Sequence, residues 1–162
     1  MNIVLLEPEI PQNTGNIART CAATGSRLHM IKPLGFSVED KYLKRAGLDY
    51  WNLLDISYYE NFNDFVTKNS NVKMFMATTK SKKTYVEVEY PEDAYIVFGR
   101  ESAGIPEEIL VNYENTSVRI PMVEQSRSLN LSNSVAIILY EAIRQQNFNG
   151  LLKEGQLHNS TW

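Results

Sequence analysis

Short apolar runs that alternate with helix-like patterns are the feature that most constrains how this chain can fold. The apolar runs predict strands at residues 2–6, 28–31, 73–78, 94–98 and 117–120. Segments with apolar residues three and four positions apart predict helices at residues 13–25, 38–46, 62–68, 106–111 and about 131–146. Residues 51–59 show no clear period. Because strands are separated by helices, we expect an α/β fold with a mainly parallel sheet flanked by helices.

Length and composition fit one domain without a membrane span. The chain has 162 residues, of which 43% are hydrophobic and 22% charged, enough to bury a full core. Its longest apolar run, residues 135–139, is far shorter than the ~18 residues of a membrane helix. The first residues lack the basic start of a signal peptide. We expect a cytoplasmic protein with a single domain at residues 1–150 and a C-terminal tail at 151–162.

Several common kinds of site are absent from the sequence. Cys21 is the only cysteine, and His29 and His158 are far apart, so we expect neither an internal disulfide nor a metal site. The eight glycines form no G-x-G pair and no Walker A or G-x-S-x-G motif, which argues against NAD, ATP and serine-hydrolase chemistry. The net charge of −3 argues against a general nucleic-acid coat, although a local basic surface remains compatible with it.

The first polar stretch, N-T-G-N-I-A-R at residues 13–19, follows the first predicted strand. Loops at the carboxyl ends of parallel strands form ligand crevices in open α/β sheets. Asn13 and Asn16 offer amide groups, and Arg19 offers a planar guanidinium suited to phosphate. The same residues also suit an ordinary helix start, capped by Asn13 or Thr14, with Arg19 on a solvated face. The spacing alone leaves both interpretations open.

Two further polar stretches follow later strands. F-G-R-E-S-A-G-I-P at residues 98–106 begins at a strand end, and its first glycine allows backbone to approach a ligand closely. I-P-M-V-E-Q-S-R-S-L-N-L-S-N-S at residues 120–134 contains more serine and asparagine side chains than one helix cap requires. A plain strand-to-helix turn and a polar capping loop are the structural alternatives.

In this order the three stretches resemble the motifs of the SPOUT class of RNA methyltransferases, over residues 1 to about 150. The matching patterns are N-T-G-N-I-A-R, F-G-x-E-x-x-G-I-P and I-P-M-x-x-x-x-R-S-L-N-L-S-N. Within that class the chain is most similar to the TrmL family of tRNA 2′-O-methyltransferases acting on the wobble nucleotide. Residues 6–16 and the stretch R-A-G-L-D-Y at residues 45–50 carry this closer resemblance.

The resemblance implies a fold, a cofactor and a reaction. We expect the carboxyl-terminal part to be threaded into a trefoil knot that binds S-adenosylmethionine. The expected assembly is a homodimer with its active site at the subunit interface. The expected reaction is methylation of the ribose 2′-hydroxyl of nucleotide 34, cytidine or uridine, of tRNA, with leucine isoacceptors as substrates.

The resemblance also assigns site residues. The expected cofactor contacts are Ala77, Gly99, Ile120, Ser128 and Leu129. Arg19 is expected to be catalytic, with Asn13 in a supporting role. Because arginine stays protonated in proteins, we expect Arg19 to orient the hydroxyl and an adjacent phosphate rather than to act as a base. A branched side chain at Gly99 is expected to fill the cofactor's space while leaving the protein folded.

The RNA-binding surface and the exact function are less constrained. Two small basic clusters are candidates for contacting RNA, although ordinary solvated surface also explains them: Lys41, Lys44 and Arg45, and Lys80, Lys82 and Lys83. A SPOUT methyltransferase acting on another tRNA or rRNA position is one alternative function. A non-catalytic RNA-binding module with the same fold is another.

Overall fold

The computed structural model describes residues 1–37 and 54–160, and this part of the chain is organised around a parallel sheet. Its strands are β1 (Asn2–Leu6), β2 (Arg27–Ile31), β3 (Ile56–Tyr59), β4 (Met74–Ala77), β5 (Tyr95–Phe98) and β6 (Ser117–Val118). Their spatial order is β3-β2-β1-β5-β4-β6, and each pair of neighbours is parallel. The predicted parallel α/β fold is therefore confirmed, and β3 lies within the segment that had shown no clear period.

The strand order places a crevice between the loops that follow β1 and β5. The chain builds β2 and β3 on one side of β1 and then crosses to build β4, β5 and β6 on the other side. Open α/β sheets bind ligands at such a switch point, outside the carboxyl ends of the strands. The first and second polar stretches both begin at this edge.

Four α-helices accompany the strands in the described residues: α1 (Pro11–Thr24), α2 (Phe62–Lys68), α3 (Glu107–Leu110) and α4 (Leu131–Gln145). A short 3₁₀ turn, Glu114–Thr116, leads into β6. None of the helices within residues 1–37 and 54–160 is long and apolar enough to cross a membrane. The predicted helix at residues 38–46, the R-A-G-L-D-Y stretch and the cluster Lys41, Lys44 and Arg45 lie outside the described residues.

The two ends of α1 show what local sequence signals can predict. Gly25 ends the helix in the left-handed conformation, with φ 66°, as its position predicted. The predicted start was wrong, because α1 begins at Pro11 and its N-cap is Ile10, which has no capping side chain. Proline at the first helical position already has a helical φ and lacks the N–H that would need a partner. Asn13 therefore lies within the first turn and is buried.

Both faces of the sheet are covered by hydrophobic cores, and the side chains of β1 contribute to both. Ile3 and Leu5 belong to the core beneath α1 and α4, whereas Val4 and Leu6 belong to the core on the opposite face, with Phe65 of α2. A strand buried on both faces has a continuous apolar sequence, as these residues do. On the first face, α4 packs against α1 and β5.

A buried histidine links the first three strands. His29 is almost fully buried, with Nε2 3.2 Å from Asn2 Oδ1 and Nδ1 2.9 Å from the Tyr59 hydroxyl. The Asn2 amide nitrogen already donates to the carbonyl of Asp93, so its oxygen faces the histidine and accepts from Nε2–H. Tyr59 then donates to Nδ1. Burial of this neutral ring lowers the pKa of His29 to about 4, with opposing smaller effects of Asp55 and Arg27.

We expect this histidine to make the protein less stable in mild acid. The unfolded chain takes up a proton near pH 6.5, whereas the folded chain resists protonation down to about pH 4. The free energy of unfolding should therefore fall as pH decreases from 6.5 to 4, by about 3 kcal/mol. Urea denaturation at half-unit pH intervals measures this fall, and His29→Gln should flatten it. Equal slopes in the variant and the native protein would contradict the assignment.

Candidate functional site

A cavity of about 590 Å³ opens at the carboxyl ends of β4, β5 and β6. It brings together residues from all three polar stretches. The five residues predicted to contact a cofactor all line it: Ala77, Gly99, Ile120, Ser128 and Leu129. Asn13, from the first turn of α1, lines it as well. Asn13 and Asn130, which are 117 positions apart in the sequence, thus share one cavity.

The cavity walls fit a cofactor that is part apolar and part charged. Ala77, Val118 and Ile120 form an apolar side, while the loop at residues 99–104 and Ser128 contribute polar groups. An adenine ring requires an apolar slot bordered by backbone hydrogen-bonding groups, and a volume of several hundred Å³ is typical of small-molecule sites. S-adenosylmethionine combines such a ring with a charged amino-acid end, so the residues present fit it.

The backbone of the loop after β5 leaves no room for a side chain at position 99. A Cβ atom at Gly99 would collide with the backbone of Gly104 and Ile105. The loop closes there because Gly104 N–H donates to the Arg100 carbonyl at 2.8 Å and Gly104 adopts φ 70°. The expectation that a branched side chain at Gly99 would block only the cofactor is therefore wrong, since any side chain must displace this loop.

Glu101 connects the loop after β5 to the start of α1. Its carboxylate accepts hydrogen bonds from the Glu9 backbone N–H at 2.8 Å and from the Ile10 backbone N–H at 3.2 Å. It also accepts from Asn13 Nδ2 at 2.9 Å. The helix whose own N-cap residue has no capping side chain thus receives a carboxylate from a distant loop, where the helix dipole favours negative charge.

Asn130 extends the same network to α4. Asn130 Nδ2 donates to Asn13 Oδ1 at 3.0 Å, and Asn130 Oδ1 accepts from the backbone N–H groups of Ser132 and Asn133. Asn130 is thus the N-cap of α4 and a contact of α1. The sequence analysis quoted Glu101 and Asn130 within the motifs but gave them no role. The lack of a capping side chain at Ile10 is evident only in the structure, because the sequence offered Asn13 and Thr14 as caps.

The Glu9 carboxylate, before α1, in turn accepts hydrogen bonds from the loop after β5. Glu9 accepts from the Ser102 backbone N–H at 2.8 Å and from the Ser102 hydroxyl at 2.7 Å. These two hydrogen bonds lower the pKa of Glu9 below its ordinary value. Arg100 and Glu7 add an ion pair of 3.1 Å between the loops. The first and second motifs are therefore held together by reciprocal contacts.

Arg19 lies away from this cavity. It is an exposed residue on α1 and is not among the residues that line the cavity. Six residues separate it from Asn13, which places it about 9 Å further along the helix and about 120° around its axis. The structure therefore does not bring Arg19 into the cavity of its own chain.

The basic cluster at residues 80–83 and the cysteine of α1 both have local surroundings that explain them. Lys80 and Lys82 form ion pairs with Glu107 at 2.9 Å and Glu114 at 3.1 Å, which reduces the positive field of that cluster. Cys21 is buried in α1, and burial raises the pKa of its thiol to about 12, so it is not a nucleophile. Within residues 1–37 and 54–160, no three metal-ligating side chains are grouped to hold an ion.

Comparison with known proteins identifies the family. The model of the SpoU rRNA Methylase family matches residues 1–140. The tRNA (cytidine(34)-2′-O)-methyltransferase of Methylovorus glucosotrophus is 50% identical over 150 residues, which cover 92% of this chain and 97% of the relative. This chain belongs to the SpoU methylase family, and the resemblance to SPOUT-class RNA methyltransferases is confirmed.

Solved structures agree with this assignment. One, described as "Structural insights into the 2-OH methylation of C/U34 on tRNA", is 42% identical with a TM-score of 0.87, covering 91% of this chain and 97% of that chain. The AdoMet-bound rRNA methyltransferase of Sinorhizobium meliloti is 25% identical with a TM-score of 0.80, covering 88% of this chain and 55% of that chain. The second neighbour was solved with S-adenosylmethionine bound.

Proposed function

We propose that this protein methylates the ribose 2′-hydroxyl of the wobble nucleotide of tRNA, cytidine or uridine 34, using S-adenosylmethionine. The observation that carries the proposal is the single cavity into which the three motifs converge. Two of the relatives that match nearly the whole chain are a methyltransferase named for cytidine 34 and a protein studied for C/U34 methylation. Leucine isoacceptors are the proposed tRNA substrates.

The cavity residues have separate proposed roles in binding the parts of the cofactor. S-adenosylmethionine supplies a methyl group already activated by its sulfonium, so the protein needs to provide alignment and charge stabilisation. Ala77, Ile120 and Leu129 line the cavity and would hold the adenine ring, and the loop beginning at Gly99 would offer backbone groups to the ribose and the amino-acid end. Ser128 adds a hydroxyl at the same wall.

Arg19 is the proposed group that orients the ribose 2′-hydroxyl and its neighbouring phosphate. Guanidinium groups bind phosphate with two parallel hydrogen bonds but do not accept protons at neutral pH. The proton leaving the hydroxyl therefore needs another acceptor, for which the adjacent phosphate is available. Asn13 supports the site from the start of α1, where it lines the cavity.

A homodimer accounts for the distance between Arg19 and the cavity of its own chain. In the proposed assembly, Arg19 of one subunit serves the cavity of its partner, so each active site lies at the interface. The loop at residues 123–130 is exposed in the single chain although it borders the cavity, as expected of a surface covered by a second subunit.

The proposal also includes a trefoil knot, a cytoplasmic location, one domain at residues 1–150 and a tail at 151–162.

The test is to map the methylated nucleotide. Unmodified tRNA transcripts, including leucine isoacceptors, are incubated with the protein and S-adenosylmethionine, and the 2′-O-methyl position is located by mass spectrometry. Methylation at nucleotide 34 is expected. Methylation elsewhere in tRNA or only in rRNA would support the alternative SPOUT activity. No heat of binding with millimolar S-adenosylhomocysteine would support a non-catalytic module and overturn the proposal.

A further inference from the structure

We propose that Glu101 is a positioning residue that sets the orientation of the Asn13 amide and, through Asn130, holds the three motif loops in one cavity wall. The inference rests on the proposed function for its catalytic consequence. Its structural basis is the chain of hydrogen bonds from Glu101 to Asn13, then to Asn130 and the start of α4. Glu101, Asn13 and Asn130 all line the cavity.

The Glu101 carboxylate fixes which group donates and which accepts in each hydrogen bond of this network. An ionised glutamate only accepts hydrogen bonds, so Asn13 must present its NH₂ group to Glu101. The Asn13 oxygen then faces Asn130 and accepts from the NH₂ group of that residue. The Asn130 oxygen is left to accept from the first backbone N–H groups of α4. Rotating the side-chain amide of Asn13 or Asn130 by half a turn would place its NH₂ group against another N–H donor.

This arrangement gives Asn13 a positioning role. Its amide oxygen and nitrogen are both engaged with neighbouring motifs, and an amide is not a base at neutral pH. Its two partners, Glu101 and Asn130, lie at the exposed rim of the protein rather than in the core. Losing the network should therefore distort the cavity more than it destabilises the fold.

A charge swap tests the direction of these hydrogen bonds. Glu101→Gln keeps the shape of the side chain but turns an N–H group toward one of its three N–H donors. Asn13→Asp alone places a second carboxylate where Glu101 accepts at 2.9 Å. In the double variant, the new amide at position 101 can donate to the new carboxylate at position 13 while still accepting from the Glu9 N–H. That carboxylate, at the third position of α1, can accept from Asn130 and also from the Ile10 N–H.

We expect each single variant to bind S-adenosylhomocysteine about tenfold to a hundredfold more weakly, since it leaves a donor or a charge unpaired in the cavity wall. The double variant should recover to within about fivefold of the native protein. Calorimetry measures this affinity, and thermal unfolding should show similar melting temperatures for all four proteins. Glu108→Gln, at an exposed carboxylate of α3 outside the cavity, is the control and should bind normally.

The outcomes separate this inference from the proposed function. Recovery of binding in the double variant supports the positioning role even if the native protein does not methylate nucleotide 34, which would contradict the proposed function alone. If the native protein is active, kcat should follow the same pattern of loss and recovery. Native-like binding by Glu101→Gln, or a folded double variant no better than the single variants, overturns the inference. Should Glu101→Gln not fold, the double variant decides: its folding and binding support the inference, and its failure overturns it.

Discussion

Ala77→Leu is expected to weaken the binding of S-adenosylhomocysteine by about tenfold to a hundredfold while leaving the protein folded. Ala77 ends β4 on the cavity side of the sheet, where it is partly exposed and lines the wall. A leucine there adds three carbon atoms to a surface that the cofactor must contact, whereas the neighbouring core residues keep their partners. Gly99 cannot serve for this experiment, because its substitution displaces a backbone loop.

Ala77→Ser is the matched control for that experiment. It changes the polarity of the wall with almost no change in volume, so it should retain the native affinity to within a few fold. Calorimetry measures the affinities, and thermal unfolding establishes that both variants are folded. Native-like affinity in a folded Ala77→Leu protein would show that this wall does not contact the cofactor.

A mixture of two variants, each of which has little activity at a limiting concentration of S-adenosylmethionine, is expected to recover about a quarter of the native methyltransferase activity. The variants are Arg19→Ala and Ala77→Leu, unfolded together and refolded. If Arg19 serves the partner's cavity, each mixed dimer has one site with both lesions and one intact site. Random pairing makes about half of the dimers mixed, and half of their sites are intact. Arg19 lies outside its own chain's cavity, which is why we expect recovery.

A second mixture provides the control. Ala77→Leu and Ser128→Trp both damage the cavity, so every site in their mixed dimers carries a lesion and no activity should return. Native mass spectrometry establishes that mixed dimers have formed. An inactive mixture of Arg19→Ala with Ala77→Leu, with mixed dimers present, would show that Arg19 and the cavity act within one subunit.

Local patterns predicted most of the fold of the described residues. The continuous apolar run of β1 predicted a strand, and the structure divides its residues between two cores on opposite faces of the sheet. Gly25 marked the end of α1 because glycine adopts a left-handed φ without strain. Such signals depend on neighbours in sequence, and they needed no knowledge of the tertiary structure. The knot and the dimer stay predictions from the family resemblance.

Tertiary structure decided how the motifs act on one another. The cap of α1 is a carboxylate 88 residues away from Asn13, so this capping contact could not be predicted from the residues of the helix itself. Gly99 is required by the backbone of Gly104 and Ile105, a contact that exists only once the loop has closed.

The sequence by itself determined where the polar stretches and most of the strands and helices lie, because side-chain type and local period depend only on neighbouring residues. Only the folded chain determined which of these residues meet. Hydrogen bonds and steric contacts act over only a few ångströms. In the folded sheet β1 and β5 are neighbours, so Ile10 and Glu101 lie within hydrogen-bonding distance although they are 91 positions apart in the sequence.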